Sequence, residues 1–102
     1  MYLLNITFLV ANQTLAPWNT WVRTSFIASV VANGDFHSPQ LARVHAPENE
    51  QDGLSFALQF RTDSKSTIDK WLETEGSRLQ QICMSDFGGS VLFFATTLEL
   101  LP

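Results

Sequence analysis

Six polar residues fall at alternating positions in three segments that read as strands: Asn5 and Thr7 in YLLNITFLVA, Gln59 and Arg61 in LSFALQFRT, and Thr97 and Glu99 in SVLFFATTLEL. Amide and hydroxyl groups in a covered site can hold a small ligand by hydrogen bonds, while a guanidinium or a carboxylate can position an acidic or enolic group. The same six side chains can also satisfy one another, with Arg61 paired to Glu99, because buried polar groups need partners. No motif assigns a catalytic residue.

The other chemistry-bearing residues read as structural. His37 and His45 flank a weak strand and have no carboxylate or thiol at ligand spacing, so no metal site is expected. Cys83 falls on an apolar helical stripe with Leu79 and Ile82, where a thiol is inert core rather than nucleophile. Trp18, Trp21 and Trp71 recur at core spacing in helices. The run FGGS matches neither the P-loop nor the G-x-G-x-x-G pattern, and its glycines suit a tight turn between helix and strand. No cofactor is implied.

Composition narrows the partners. A chain of 102 residues is one domain, here 1–102, with 45% hydrophobic and 16% charged residues. A formal charge of -4 with six Lys and Arg supplies no basic stripe, which argues against nucleic acid and against an anionic membrane. The one cysteine excludes an intrachain disulfide and points to a reducing cytoplasm. The opening MYLLNITFLVA lacks a basic region and is interrupted by Asn5 and Thr7 at strand spacing, so it reads as a strand rather than a signal peptide. No stretch reaches the roughly 18 apolar residues of a membrane span.

Periodicity supplies the elements that must position the polar set. Tyr2, Leu4, Ile6, Phe8 and Val10 form one wholly apolar phase of the first strand. Helical spacing of Trp18, Trp21, Val22 and Phe26 then predicts a helix from about Pro17 to Ala32, stopped by Asn33 and Gly34. A weaker strand follows over about Gln40 to His45, with Pro39 confining it to a sheet edge. The polar run APENEQDG joins it to the third strand. Ile68, Trp71, Leu72, Leu79, Ile82 and Cys83 form the stripe of a second helix, in which Gly76 marks a kink or a restart. The last strand follows FGGS. This order, with right-handed crossovers, predicts a ferredoxin-like α+β fold, βαββαβ: a four-stranded antiparallel sheet with two helices on one face.

The open face of that sheet carries the functional expectation. With the more apolar phase under the helices, it holds Leu3, Asn5, Thr7 and Leu9, then Ala57, Gln59 and Arg61, then Val91, Phe93, Ala95, Thr97 and Glu99. A one-residue slip would exchange the two faces of the last strand and remove Thr97 and Glu99 from the set. Either way the face is too apolar for water, and a second copy packed sheet on sheet is the simplest partner.

The stretches YLLNITFLV, WNTWVRTSFIASVVANGDFHSPQLARV, LSFALQF and DFGGSVLFFATTLELL resemble a bacterial family known as domain of unknown function 4286, among the dimeric α+β barrels. The shared features are structural: an N-x-T strand, a helix closing on N-G before D-F, and F-G-G before the last strand. The resemblance implies sheet-to-sheet homodimers and supplies no activity. Members often carry a His at the position of Phe26, followed by Ile and Pro; here Ile27 remains, beside Phe26 and Ala28.

Together these residues lead to the expectation of a small cytoplasmic homodimer. It would bind a small molecule inside the barrel through Asn5, Thr7, Gln59, Arg61, Thr97 and Glu99. A cofactor-independent monooxygenase or isomerase and a protein-interaction module are the alternatives.

Overall fold

Alternation of apolar and polar residues builds the central strand β1 (Tyr2–Ala11), in which Leu4, Ile6, Phe8 and Val10 are buried. The computed structural model describes residues 1–45 and 52–102; the polar connection expected at 46–51 lies outside them. β1 pairs antiparallel with β3 (Gly53–Thr62) on one side and β4 (Val91–Glu99) on the other. β2 (His37–Val44) pairs antiparallel with β3, giving the order β2-β3-β1-β4. With helices between β1 and β2 and between β3 and β4, this is the ferredoxin-like βαββαβ arrangement.

β2 lies at the edge, as Pro39 requires, and begins three residues earlier than its pattern suggests. Ser38 has a φ of 56°, and the register against β3 shifts between His37 and Gln40. A left-handed residue followed by proline is therefore taken up as a bulge, which removes a ladder donor where none is needed.

The first helical segment is one rod in three parts: α1 (Leu15–Trp21), a π-helical turn (Val22–Phe26) and α2 (Ile27–Val31). Its buried residues are Trp18, Val22, Phe26 and Val30, spaced strictly by four. In an ideal α-helix each four-residue step overshoots a full turn by about 40°, so three steps would carry Val30 about 120° off the sheet. The wider π turn, in which the Ile27 amide donates to the Val22 carbonyl, absorbs one residue and returns the stripe to the core. Gly34, at φ 83°, ends the segment in a conformation that glycine adopts without steric cost.

The second helical segment breaks where Gly76 suggested a restart. α3 (Lys65–Glu73) and α4 (Glu75–Phe87) meet at Thr74, whose φ of -114° and ψ of -93° leave the helical region. Gly76 itself is buried against Trp71: a Cβ there would lie 2.7 Å from the ring atom Cζ3. Trp71 in turn meets Phe26 and Phe36 edge-on, at centroid distances of 6.5 and 6.2 Å. Ile68, Trp71, Leu79 and Cys83 close the core from this side.

Candidate functional site

The register of the sheet fixes which side chains share its helix-free face. One row across it is wholly polar: Gln40, Gln59, Asn5 and Thr96. The next reads Ala42, Ala57, Thr7 and Phe94, and the one beyond it Val44, Ser55, Leu9 and Leu92. On the other side of the polar row, Arg61, Leu3 and Leu98 are neighbours, with His37 opposite Arg61.

Four of the six expected residues are thereby brought together, and three of them are linked. The Gln59 amide Nε2 donates to Asn5 Oδ1 at 3.2 Å, and Asn5 Nδ2 donates to Thr7 Oγ1 at 3.3 Å. This leaves the Gln59 carbonyl oxygen without a described donor and the Thr7 hydroxyl hydrogen without a described acceptor, so the chain can accept at one end and donate at the other. Arg61 has no ion-pair or hydrogen-bond partner among the described residues.

Thr97 and Glu99 belong to the opposite face, which corrects the expected set. Thr97 lies opposite Leu4, and Glu99 opposite Tyr2, both in the phase of β1 that packs beneath the helices. The phase of β4 is set by Val91, buried beside Val10, and by Phe93, whose ring lies 5.3 Å from that of Phe8 and 5.7 Å from that of Phe26. No Arg61–Glu99 pair forms. Thr96 takes a place in the polar row, and Leu92, Phe94 and Leu98 replace Val91 and Phe93 as the exposed apolar residues.

The exchange leaves the open face more apolar than expected. Phe94 is 54% exposed, Leu92 50% and Leu9 43%, with Leu98 and Val44 exposed as well. An apolar surface flanking a polar row on an unpacked sheet face has the composition of a ligand or partner site. At one end of the face, Leu9, Leu92 and Ser55 border a concavity of about 390 Å³ with Gly53 and Ser90.

A larger open cleft, about 930 Å³, separates α2 from α3 and α4 on the far side of the molecule. Two of its four charged residues, Glu75 and Arg78, are occupied with each other, beside Asp35 and Lys70. Ser29 donates to Glu75 Oε1 at 2.6 Å, and Arg78 engages both carboxylate oxygens, with Nε to Oε2 at 3.1 Å. Hydrogen bonds from Arg78 and Ser29 hold the Glu75 carboxyl below the usual carboxylate range. The cluster ties α2 to α4 rather than offering an open site.

The remaining candidates take the places expected of them. Cys83 is buried, and burial together with the nearby Asp86 carboxylate pushes its thiol up to about 11, far from the range of a nucleophile. His37 and His45 are exposed; the His37 ring nitrogen Nδ1 lies 3.0 Å from Ser38 Oγ. Among the described residues no group of three His, Cys, Asp or Glu could hold a metal, and no helix is long and apolar enough to cross a membrane.

Solved structures share this fold at low identity. A protein of the ethyl tert-butyl ether D family from Bacillus halodurans C-125 is 13% identical, with a TM-score of 0.65 over 99% of this chain and 100% of its own. A dimeric ferredoxin-like protein from an uncultured marine organism is 11% identical, with a TM-score of 0.62 over 99% and 96% of the two chains. A second dimeric ferredoxin-like protein from an uncultured marine organism is 15% identical, with a TM-score of 0.59 over 95% and 90%. No curated protein sequence matches. The model of a domain of unknown function, DUF4286, covers residues 1–101, and the chain belongs to that family.

Proposed function

We propose that the chain acts as a homodimer, open sheet face against open sheet face, and binds a small molecule between the two polar rows. One observation carries this reading: Phe94, Leu92 and Leu9 stand exposed around a linked Gln59–Asn5–Thr7 set on a face that no described residue covers. Two solved proteins of the same fold are dimeric, which supports the assembly. A two-fold pair would double the polar row and enclose it within apolar walls, the combination that fixes and orients a small ligand. The single cysteine suits a reducing cytoplasm. Glu99, on the helix side of the sheet, is not available to that interior, so binding is favoured over carboxylate catalysis.

Native mass spectrometry of the protein purified gently from its own host tests both parts. A dimer carrying an additional small mass is expected. A monomer overturns the assembly, and a dimer that neither carries nor takes up a small molecule overturns the ligand.

A further inference from the structure

The open sheet face departs in charge from the rest of the chain. The sequence holds ten Asp and Glu against six Lys and Arg, yet no described carboxylate lies in the outward phase of β1, β2, β3 or β4. Its ionisable residues are Arg61 and, opposite it across the β2–β3 pair, His37. Glu99, the carboxylate that could have balanced Arg61, is displaced to the other side by the register of β4.

Among the described strand residues, a second copy supplies no group that balances this charge. A two-fold interface presents the same surface twice, so the partner's strands bring another Arg61 and no carboxylate among the described strand residues, Asp52 lying beyond them at the Leu9 end of the face. Covering a guanidinium without a counter-charge is costly, whereas a guanidinium matches the planar, two-oxygen edge of a carboxylate or phosphate. Arg61 shares its row with Leu3 and Leu98, roughly 5 and 10 Å away by strand spacing, and Gln59 lies about 7 Å along the same strand. An anion seated on Arg61 would therefore have an apolar floor beside it and the Gln59–Asn5–Thr7 chain within reach.

We infer that the site takes an amphiphilic anion, a small molecule with one carboxylate or phosphate on an apolar body, and that Arg61 binds the anionic group. The inference rests on the sheet-to-sheet dimer proposed above. The apolar body lies over Leu3 and Leu98, and a neutral oxygen or N–H of the ligand meets Gln59 or Thr7.

Binding of three matched probes to the full chain tests it: 2-naphthoate, 2-naphthyl phosphate and the neutral 2-naphthamide, titrated by fluorescence while light scattering reports the oligomeric state. At least one anion should bind about tenfold or more tighter than the amide, and the stronger of the two identifies the headgroup. Arg61→Gln should weaken anion binding roughly ten- to a hundredfold while sparing the amide, and Arg61→Lys should restore part of it. If the amide binds as well as the anions, or if Arg61→Gln leaves the anions unaffected, the inference fails while the ligand chamber stands. If a dimer binds none of the three probes, the chamber and the inference fail together; a monomer refutes the assembly on which both rest.

Discussion

Phe94 offers the most direct test of the sheet-to-sheet dimer. Its side chain is 54% exposed in the single chain. A phenylalanine presents on the order of 200 Å² of surface, so covering the exposed part would remove about 100 Å² from water. At about 25 cal/mol per Å² this is worth about 2.5 kcal/mol per protomer. A two-fold interface counts the residue twice, and Phe94→Ala should weaken dimerisation by about 4 kcal/mol once the surface of the alanine is allowed for. That corresponds to roughly a thousandfold in the dimer dissociation constant. Sedimentation velocity across a dilution series measures it. Circular dichroism should stay unchanged, because Phe94 packs on the outside of the sheet, and Met84→Ala on the exposed side of α4 serves as a control. A Phe94→Ala dimer as tight as the parent would refute the assignment of this face to the interface.

Two further predictions concern the core. Gly76→Ala should lower stability by up to about 2 kcal/mol in urea unfolding: a helical alanine gains about 1 kcal/mol over glycine, but overpacking against the Trp71 ring, 2.7 and 2.8 Å from the new methyl, costs about 1–3 kcal/mol. A stabilised variant would show that Trp71 can move. For Cys83, the folded thiol titrates at about 11, above its ordinary 9.0, so the folded state holds this proton more tightly than the unfolded state. Its contribution is fully present below pH 9 and is lost as the pH rises toward 11. Stability of the parent should thus fall more steeply between pH 9 and pH 11 than that of Cys83→Ala, and parallel slopes would contradict the reading.

The architecture was legible because most elements carry one dominant phase. β1 is apolar at every even position from Tyr2 to Val10, and Pro39 confines β2 to an edge, so order and topology follow from local pattern. β4 carries no such signal. Its core-facing phase is Val91, Phe93, Ala95, Thr97 and Glu99, while its outward phase is Leu92, Phe94, Thr96 and Leu98, which is the more apolar of the two. Ranking faces by hydrophobicity therefore selects the wrong one, because a second apolar surface competes with the core for the same evidence. What fixes the phase is tertiary: Phe93 fits between Phe8 and Phe26. The polar set follows suit, with Asn5, Thr7, Gln59 and Arg61 readable from strands of clear phase and Thr96 hidden in the ambiguous one. The π turn was not legible: Trp21 joined Trp18, Val22 and Phe26 in one ordinary helical stripe, and the strict period of four emerges only once Val30 is seen to be buried.

The bulge in β2 also bears on what this sheet cannot become. An open sheet has two lateral edges, and end-to-end polymerisation into a fibre consumes both, each molecule donating one edge to the neighbour before it and one to the neighbour after. Here Ser38 and Pro39 distort the outer edge at β2, where a left-handed residue and a missing amide hydrogen interrupt any incoming strand. The opposite edge, β4, keeps a regular backbone, with Gln80 reaching only the Phe93 carbonyl. With one edge blunted, lateral pairing can join two sheets through β4 and then stops. The sheet therefore does not grow edge to edge, and the uncovered Phe94, Leu92 and Leu9 are left to the face-to-face contact of a closed pair.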